Sequence, residues 1–217
     1  MTERIHSLSM QLTLLGKAFR AYRAGRIGDA AVYKSAALGA SAYPEVERRL
    51  RALERFYPVI DLPALRRLKN GTFGHAYAQF IDGNKLQPLV VSTDTYADIA
   101  AHANPLAVRY LLLHDAFHVL LGFGISLPGE LGVWSFVAGQ HYSPSFDRAA
   151  TYARLFYPVI APSQIRELRA ARLAGAAMAR SAPCLIAQPI DAYWDEPLIS
   201  VRKHLGIEVH NGANHPH

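Results

Sequence analysis

The chain has 217 residues, of which 51% are hydrophobic and only 18% are charged. That length supports one sizeable core, and no shift in composition marks a second one, so we predict a single domain over residues 1–209. The one cysteine, Cys184, excludes an intrachain disulfide and a cysteine-rich zinc finger and favours a reducing compartment. No secretion signal and no run of about 18 apolar residues occurs, which predicts a cytoplasmic protein without a spanning helix.

The net charge of +6 is concentrated towards the N-terminus. From Met1 to His75 there are thirteen Lys or Arg and six Asp or Glu, whereas the remainder has ten and eleven. A basic region can attract an anionic membrane, an acidic partner or nucleic acid. Nucleic acid is not expected, because the chain has no recognition motif, no zinc-finger spacing and no basic segment interleaved with stacking aromatics.

A basic amphipathic helix is predicted over residues 9–24. Its apolar side chains share one side and its basic side chains surround them: Leu12, Leu15, Phe19 and Tyr22, with Lys17, Arg20 and Arg23. Two interpretations stand. The helix either packs on the core with its arginines in solvent, or contacts an anionic membrane at the inner face as a peripheral protein.

The rest of the chain also has helical patterns, and we predict an all-α domain of about nine helices. Asp29 is predicted to cap a helix to Leu38, and Pro44 to open one to Phe56. Later helices are predicted over 94–102, 147–156, 163–180 and 192–205, with an extended segment at 86–91 and a disordered tail at 210–217. The motif FYPVI at residues 56–60 recurs at 156–160, and each copy is predicted as helix, proline turn, helix.

Between these segments, residues 71–74 read Gly-Thr-Phe-Gly and lead into a helix with Tyr77 and Phe80 facing inward. Thr72 is a residue type that caps helices. Free amides at such a helix start also bind anions such as phosphate. A plain cap and an anion site are therefore both open here, and the cap is favoured.

Residues 109–140 contain the candidate metal-binding side chains. An apolar helix opens this stretch and contains His114, Asp115 and His118. Because His114 and His118 are four residues apart, both imidazoles project from one helical face and can bind one ion, with the Asp115 carboxylate at its edge. Glu130 follows a Leu-Pro-Gly break in the first turn of a second apolar helix, 131–140, and an αα-hairpin would return it to the first. We predict that this hairpin lies at the centre of the domain. The alternative is a pair of ordinary core histidines.

This pattern, HDxxH followed eleven residues later by Glu, resembles the signature of the coenzyme Q biosynthesis protein four family. The segment from Leu68 to Gly74, with Tyr77 and Phe80, resembles that family's LPxGTFGxxYxxF motif. Its closing helix is similar to this chain at Trp194, Leu198, Arg202, Leu205, Gly206 and Ile207. The resemblance spans roughly residues 43–207, and residues 142–160 fit it less well.

The resemblance implies a zinc ion held by His114, Asp115, His118 and Glu130, and the ligand types also suit iron, manganese or magnesium. It implies oxidative decarboxylation and hydroxylation at the carboxyl-bearing carbon of a polyprenylated 4-hydroxybenzoate-derived ring, in ubiquinone biosynthesis. Other quinone-biosynthesis proteins are expected partners, and a homo-oligomer is left open. The chain has no flavin or nicotinamide motif, so the oxidant would be oxygen or an external donor.

Two alternatives remain. One is a non-catalytic scaffold that binds the prenyl lipid, in which the ion holds the hairpin together while partners do the chemistry. The other is an HD-type phosphohydrolase, which is disfavoured because no remaining ligand set is evident on other helices. A site with all four ligands would be closed, and only an open coordination position allows Lewis-acid chemistry.

Overall fold

The computed structural model describes residues 2–37, 41–54, 56–58, 60–102 and 106–209. Eleven α-helices lie in this part of the chain: α1 Thr2–Arg23, α2 Ile27–Ala37, α3 Pro44–Arg51, α4 Leu62–Arg66, α5 Phe73–Gly83, α6 Thr93–His102, α7 Leu106–Leu121, α8 Leu127–Gly139, α9 Pro144–Ile160, α10 Ile165–Ser181 and α11 Leu198–His204. Three short 3₁₀ helices are Pro162–Gln164, Leu185–Ala187 and Ile190–Tyr193. The described residues contain no strand, only an isolated bridge between Thr72 and Pro197. The all-α prediction is confirmed, with more helices than the nine expected.

Helix α7 is the centre of the fold. One face joins a large cluster that includes Leu113, Phe117 and Leu120, and the opposite face joins a smaller one through Val108 and Leu112. A helix that is apolar nearly all round is stable only when it is buried on all sides. The predicted central position of this helix is therefore confirmed, and its polar side chains must find partners inside the protein.

One of those polar side chains is Arg109, which is fully buried. Its guanidinium donates hydrogen bonds to the backbone carbonyls of Phe56, Ile186 and Gln188. A buried cation is stable when its donors are satisfied. Arg109 thus joins α7 to the loop after α3 and to the 3₁₀ segment before α11.

Helices α7 and α8 form the predicted αα-hairpin. Gly122 ends α7 with a φ of 74°, a left-handed conformation that glycine adopts without a steric penalty. Ser126 caps α8 by accepting a hydrogen bond from the Gly129 amide. The prediction that Leu-Pro-Gly breaks the chain at 127–129 was wrong, because proline in the first turn lacks only an N–H that the helix does not use.

Helix α9 folds back on α8 after a turn at 140–143 and is capped by Ser143, which accepts from the amides of Ser145 and Phe146. The end of α9 therefore lies beside the start of α8. Helix α10 then packs closely on α8: a Cβ at Gly175 would lie 2.1 Å from the carbonyl oxygen of Gly132. The glycines allow the two backbones to approach.

Helix α1 begins earlier than predicted, and its buried face is not the expected one. Leu14, Ala18 and Ala21 face the core, whereas Leu12, Leu15, Phe19 and Tyr22 are 44–65% exposed. The helix does pack on the core with Arg20 and Arg23 exposed, as one interpretation predicted, but it does so through a different stripe from the predicted apolar side. Small alanines allow close packing of α1 on α2, and a salt bridge of 2.6 Å from Lys17 to Asp98 fixes this orientation.

Other boundaries differ from the predictions for local reasons. The helix expected to run from Pro44 to Phe56 ends at Arg51, and α2 begins at Ile27. Asp29 does not cap α2, since its carboxylate accepts from the Ser92 amide and from Arg26.

The segment 86–91 forms no strand, and the two FYPVI copies differ, since α9 continues through Pro158 while Phe56 to Pro58 lie outside any helix. The tail at 210–217 and the predicted helix end at Leu38 lie outside the described residues. Within the described part of the chain, no helix is both long enough and apolar enough to cross a membrane.

Candidate metal centre

Two histidines on α7 face the first turn of α8. His114 and His118 lie one helical turn apart, with ring centroids separated by 4.8 Å. The side chain of His118 is 1% exposed, and that of His114 is 26% exposed. The ring of Phe80, from α5, stacks on His118 at a centroid distance of 5.6 Å. The pair therefore sits in an apolar wall and opens to one side.

Glu130 completes the cluster from α8. Its Oε1 lies 3.3 Å from Nε2 of His118, and its Oε2 lies 3.6 Å from Nε2 of His114. One ligand atom from each of the three residues lies within 4.8 Å of the other two. Tetrahedral zinc with bonds of about 2.1 Å separates its ligand atoms by roughly 3.4 Å, so the three donors fit one ion after small side-chain movements.

The tautomer of His118 is set by the backbone. Its Nδ1 lies 3.2 Å from the carbonyl oxygen of Phe123, which can only accept a hydrogen bond, so Nδ1 carries the proton. Its Nε2 is buried and has no hydrogen-bond partner among the described residues, because the contact with Glu130 lacks hydrogen-bond geometry. A buried nitrogen lone pair without a donor is costly, and a cation would satisfy it.

Asp115 lies outside this group of three. Its Oδ1 is 3.4 Å from Nδ1 of His114. A carboxylate in that place orients the imidazole and makes it more basic, so that Nε2 of His114 faces Glu130. The structure thus brings together His114, His118 and Glu130, and it places Asp115 behind His114; direct ligation by Asp115 stays a prediction.

Without a cation, the carboxylates control the charge of the cluster. Burial opposes protonation of His114, but contacts with Asp115 and Glu130 outweigh it and raise the pKa of His114 to about 9. Burial also opposes ionisation of Glu130, yet the two histidines lower the pKa of Glu130 to about 2. At neutral pH the metal-free cluster holds an imidazolium and a carboxylate. A cation must displace the His114 proton to bind.

The sequence analysis did not identify Tyr110 as part of the site. Tyr110 lies one turn before His114 on α7 and is 5% exposed, with its ring 4.7 Å from Phe146 and 6.0 Å from Trp134 between centroids. Its hydroxyl is buried and has no hydrogen-bond partner in the part of the chain that the structure describes. Burial, together with the negative charge of Glu130, raises the pKa of Tyr110. The four-residue spacing to His114 was the one signal available in the sequence.

The predicted Gly-Thr-Phe-Gly cap is confirmed, and its anion site is not supported. Thr72 accepts a hydrogen bond from the His75 amide. The amides of Phe73 and Gly74 already donate to the carbonyls of Glu196 and Trp194, both at 2.8 Å. No free amides remain at these two positions for an anion.

Comparison with known proteins identifies the family of this chain. The model of the family described as coenzyme Q (ubiquinone) biosynthesis protein Coq4 matches residues 56–211. The chain belongs to the Coq4 family. Its members are ubiquinone biosynthesis proteins, and the resemblance inferred from the HDxxH pattern and its flanking motifs is confirmed.

Two relatives illustrate the match. The mitochondrial COQ4 homologue of Bos taurus is 32% identical over 150 residues, covering 68% of this chain and 55% of the bovine protein. The homologue of Mus musculus is 31% identical over 150 residues, covering 68% of this chain and 54% of the mouse protein. The chain thus aligns with about half of their length.

A Nostoc punctiforme crystal structure, assigned to ubiquinone biosynthesis, has a TM-score of 0.62 and 24% identity, covering 92% of this chain and 96% of its own. This similarity extends the match to nearly the whole fold.

Proposed function

We propose that this Coq4 protein binds one divalent cation through His114, His118 and Glu130 and acts on a prenylated 4-hydroxybenzoate-derived ring in ubiquinone biosynthesis. The observation that carries the proposal is the buried, unpartnered Nε2 of His118, which faces a carboxylate and a second imidazole. Two imidazoles and one carboxylate are a ligand set of catalytic zinc sites, which keep a further position open. Zinc is the ion we propose, and iron or manganese also suits these ligands.

The surrounding residues have distinct tasks in this proposal. The Phe123 carbonyl holds His118 in the tautomer that presents Nε2. Asp115 orients His114 from behind, because its carboxylate accepts a hydrogen bond from the Nδ1–H of His114. Glu130 spans the two imidazoles and supplies the one negatively charged donor of the three ligands. When bound, the cation supplies a Lewis acid for a carboxylate or phenolate of the ring.

Tyr110 is proposed to position the ring. Its hydroxyl is buried, unpartnered and close enough to Glu130 to feel that charge. A phenolic hydroxyl donates readily to an oxygen anion, and a polar substrate group would relieve the cost of leaving it unpaired. The aromatic rings of Trp134 and Phe146 beside it are an apolar surface on which a substituted benzene ring can pack.

The proposed reaction replaces the carboxyl group of the ring by a hydroxyl group. The bond between ring carbon and carboxyl carbon breaks and carbon dioxide leaves, while one oxygen atom of dioxygen enters the ring. The other oxygen atom becomes water by accepting two protons and two electrons from an external donor. The donor is external because the chain carries no flavin or nicotinamide motif. The protein's own residues bind and orient the ring.

The test uses purified zinc-loaded protein, the prenylated hydroxybenzoate precursor, a chemical electron donor and oxygen labelled with the heavy isotope. Labelled hydroxyl on the ring together with released carbon dioxide supports the proposal. The His118→Ala variant should be inactive, whereas His204→Ala, which removes an exposed histidine on α11, should retain wild-type turnover. Full activity of His118→Ala would refute the site assignment.

A second candidate is a prenyl-lipid-binding scaffold for other quinone-biosynthesis enzymes. It is favoured by one observation, namely that all three ligands belong to the α7–α8 hairpin, so an ion there would also stabilise the centre of the fold. Such a scaffold would have no turnover, so metal removal would lower only its stability. Turnover by the isolated protein rejects this candidate.

The exposed face of α1 supports a peripheral contact with an anionic membrane. Lys17 is engaged by Asp98, which leaves Arg20 and Arg23 beside the apolar side chains of that face. Binding to anionic vesicles should weaken as the salt concentration rises. Vesicle binding indifferent to salt and to lipid charge would contradict this contact. A homo-oligomer remains a prediction.

A further inference from the structure

The turn between α9 and α10 carries large apolar side chains that face solvent. Leu155, Phe156 and Val159 are 57%, 58% and 72% exposed, and Ile160 and Ile165, on either side of the turn, are 64% and 56% exposed. These five residues are here called the α9–α10 corner. Single exposed apolar residues are common on protein surfaces, whereas a contiguous patch of this kind marks an interaction site.

The exposure of the corner is not the result of a missing core. The other side of α9 buries Phe146, Ala150 and Ala153, and Ala153 packs with Leu131 of α8 and Leu168 of α10. Apart from Phe146, the buried side chains of α9 are small alanines, whereas the exposed side chains of the corner are larger. Exposed apolar surface of this size is unfavourable in water, so a partner surface that covers it would be stabilising.

The charges around the corner are mostly positive. Residues 148–173, all of them described, contain five arginines and a single acid, Glu167. Arg154, Arg166 and Arg169 are exposed. A second copy of the chain docking corner to corner would bring these arginines together, and like charges in contact are unfavourable. An anionic lipid surface instead pairs with the arginines while its acyl region accepts the apolar side chains.

The corner lies at the same end of the fold as the metal centre. Because α8 and α9 are antiparallel, Tyr157 of α9 lies near Glu130, whose charge contributes to the raised pKa of Tyr157 after burial. Tyr157 also packs against the cluster that contains Leu131 and Leu168. Its neighbour Phe156 belongs to the corner and is exposed, so this turn of α9 has one side towards the hairpin and the other towards solvent.

We propose that the α9–α10 corner inserts into the interfacial region of an anionic bilayer and holds the Glu130 end of the hairpin against the lipid surface. A prenylated ring anchored in the bilayer by its tail can then reach the site without crossing water. This surface is separate from the exposed face of α1, and it falls in the segment that fits the family pattern least well. This inference rests on the proposed function only in taking a prenylated ring as the molecule that reaches the site.

The test measures sedimentation with vesicles of phosphatidylcholine alone and of phosphatidylcholine mixed with phosphatidylglycerol, without metal or substrate. Val159→Glu should lower partitioning into the anionic vesicles at least roughly tenfold, because a valine side chain is lost from the apolar region and a charge is placed there. The double variant Arg166→Glu with Arg169→Glu should lower it roughly thirtyfold. Val90→Glu, which changes a valine of 82% exposure elsewhere, should bind as wild type.

Three results would overturn the proposal: no binding of wild type to anionic vesicles, equal loss with Val90→Glu, or loss with Phe19→Glu on α1 but not with Val159→Glu. Sedimentation velocity identifies the rival occupant, since a wild-type dimer that becomes a monomer in Val159→Glu, without vesicle binding, would make the corner an interface between copies. Thermal melting confirms that the variants fold, which their exposed positions favour. Metal content is measured separately, so failure of the metal site leaves the vesicle result intact.

Discussion

Replacing Tyr110 by Phe removes a buried hydroxyl to which no described residue offers a hydrogen bond. Tyr142 is the matched control, because it is also fully buried but its hydroxyl donates to Oε1 of Gln140 and accepts from the Ile186 amide. In the ligand-free protein, Tyr110→Phe should leave the free energy of unfolding unchanged or raise it by about 1 kcal/mol. Tyr142→Phe leaves the Ile186 amide unpaired and should lower that free energy by about 1–3 kcal/mol.

The two variants should rank in the opposite order for ligand affinity. If the Tyr110 hydroxyl donates to a charged oxygen of the ring, its loss costs about 1.5–3 kcal/mol, or roughly a 10- to 150-fold increase in Kd. Tyr142→Phe should leave Kd unchanged. Urea denaturation measures the first quantity, and the fluorescence of Trp134, 6.0 Å from the Tyr110 ring, reports titration with a short-chain prenylated 4-hydroxybenzoate. If Tyr110→Phe destabilises the protein as much as Tyr142→Phe and binds ligand normally, the assignment of Tyr110 is wrong.

Three further outcomes are expected. The pKa of His114 is raised to about 9, so the stability it contributes in the metal-free protein is complete below its ordinary pKa and is lost as pH rises through 9. Glu130→Gln should reduce this alkaline loss without abolishing it, because Asp115 also raises the pKa of His114, and urea denaturation across pH would detect the change. Asp115→Asn should lower zinc affinity by roughly 10- to 100-fold in a chelator competition while the fold is kept. Gly175→Ala, whose Cβ would lie 2.1 Å from a backbone oxygen of α8, should lower thermal stability by about 1–3 kcal/mol, whereas Gly16→Ala, with open space, should not.

The central helices were predictable because their sequence signals are local. The apolar stretch around His114 predicted a buried helix, and the turn residues between it and Glu130 predicted a return of the chain. Spacing alone put the two histidines on one face, and the hairpin supplied the carboxylate. The boundary of α8 was missed because Pro128 can either break a helix or begin one, and only the cap by Ser126 distinguishes these cases.

The orientation of α1 and the contacts of the site depend on tertiary packing. Helix α1 has two apolar stripes, and the one with smaller side chains, Ala18 and Ala21, faces the core. Hydrophobicity favoured the larger residues, while close packing on α2 decided otherwise. Likewise, no sequence pattern predicts that the Tyr110 hydroxyl lacks a partner or that the Phe123 carbonyl meets His118, since both depend on three-dimensional neighbours.

Metal content tests the central claim most directly. Purified protein is loaded with zinc, dialysed and analysed for bound metal, beside His118→Ala, Glu130→Gln and the exposed-site control His204→Ala. The account predicts one zinc per chain in wild type and in His204→Ala, and little or none in the two cluster variants, because each loses one of three ligands and leaves the rest poorly paired. Wild-type protein without stoichiometric metal after loading, or cluster variants that keep it, would contradict the account.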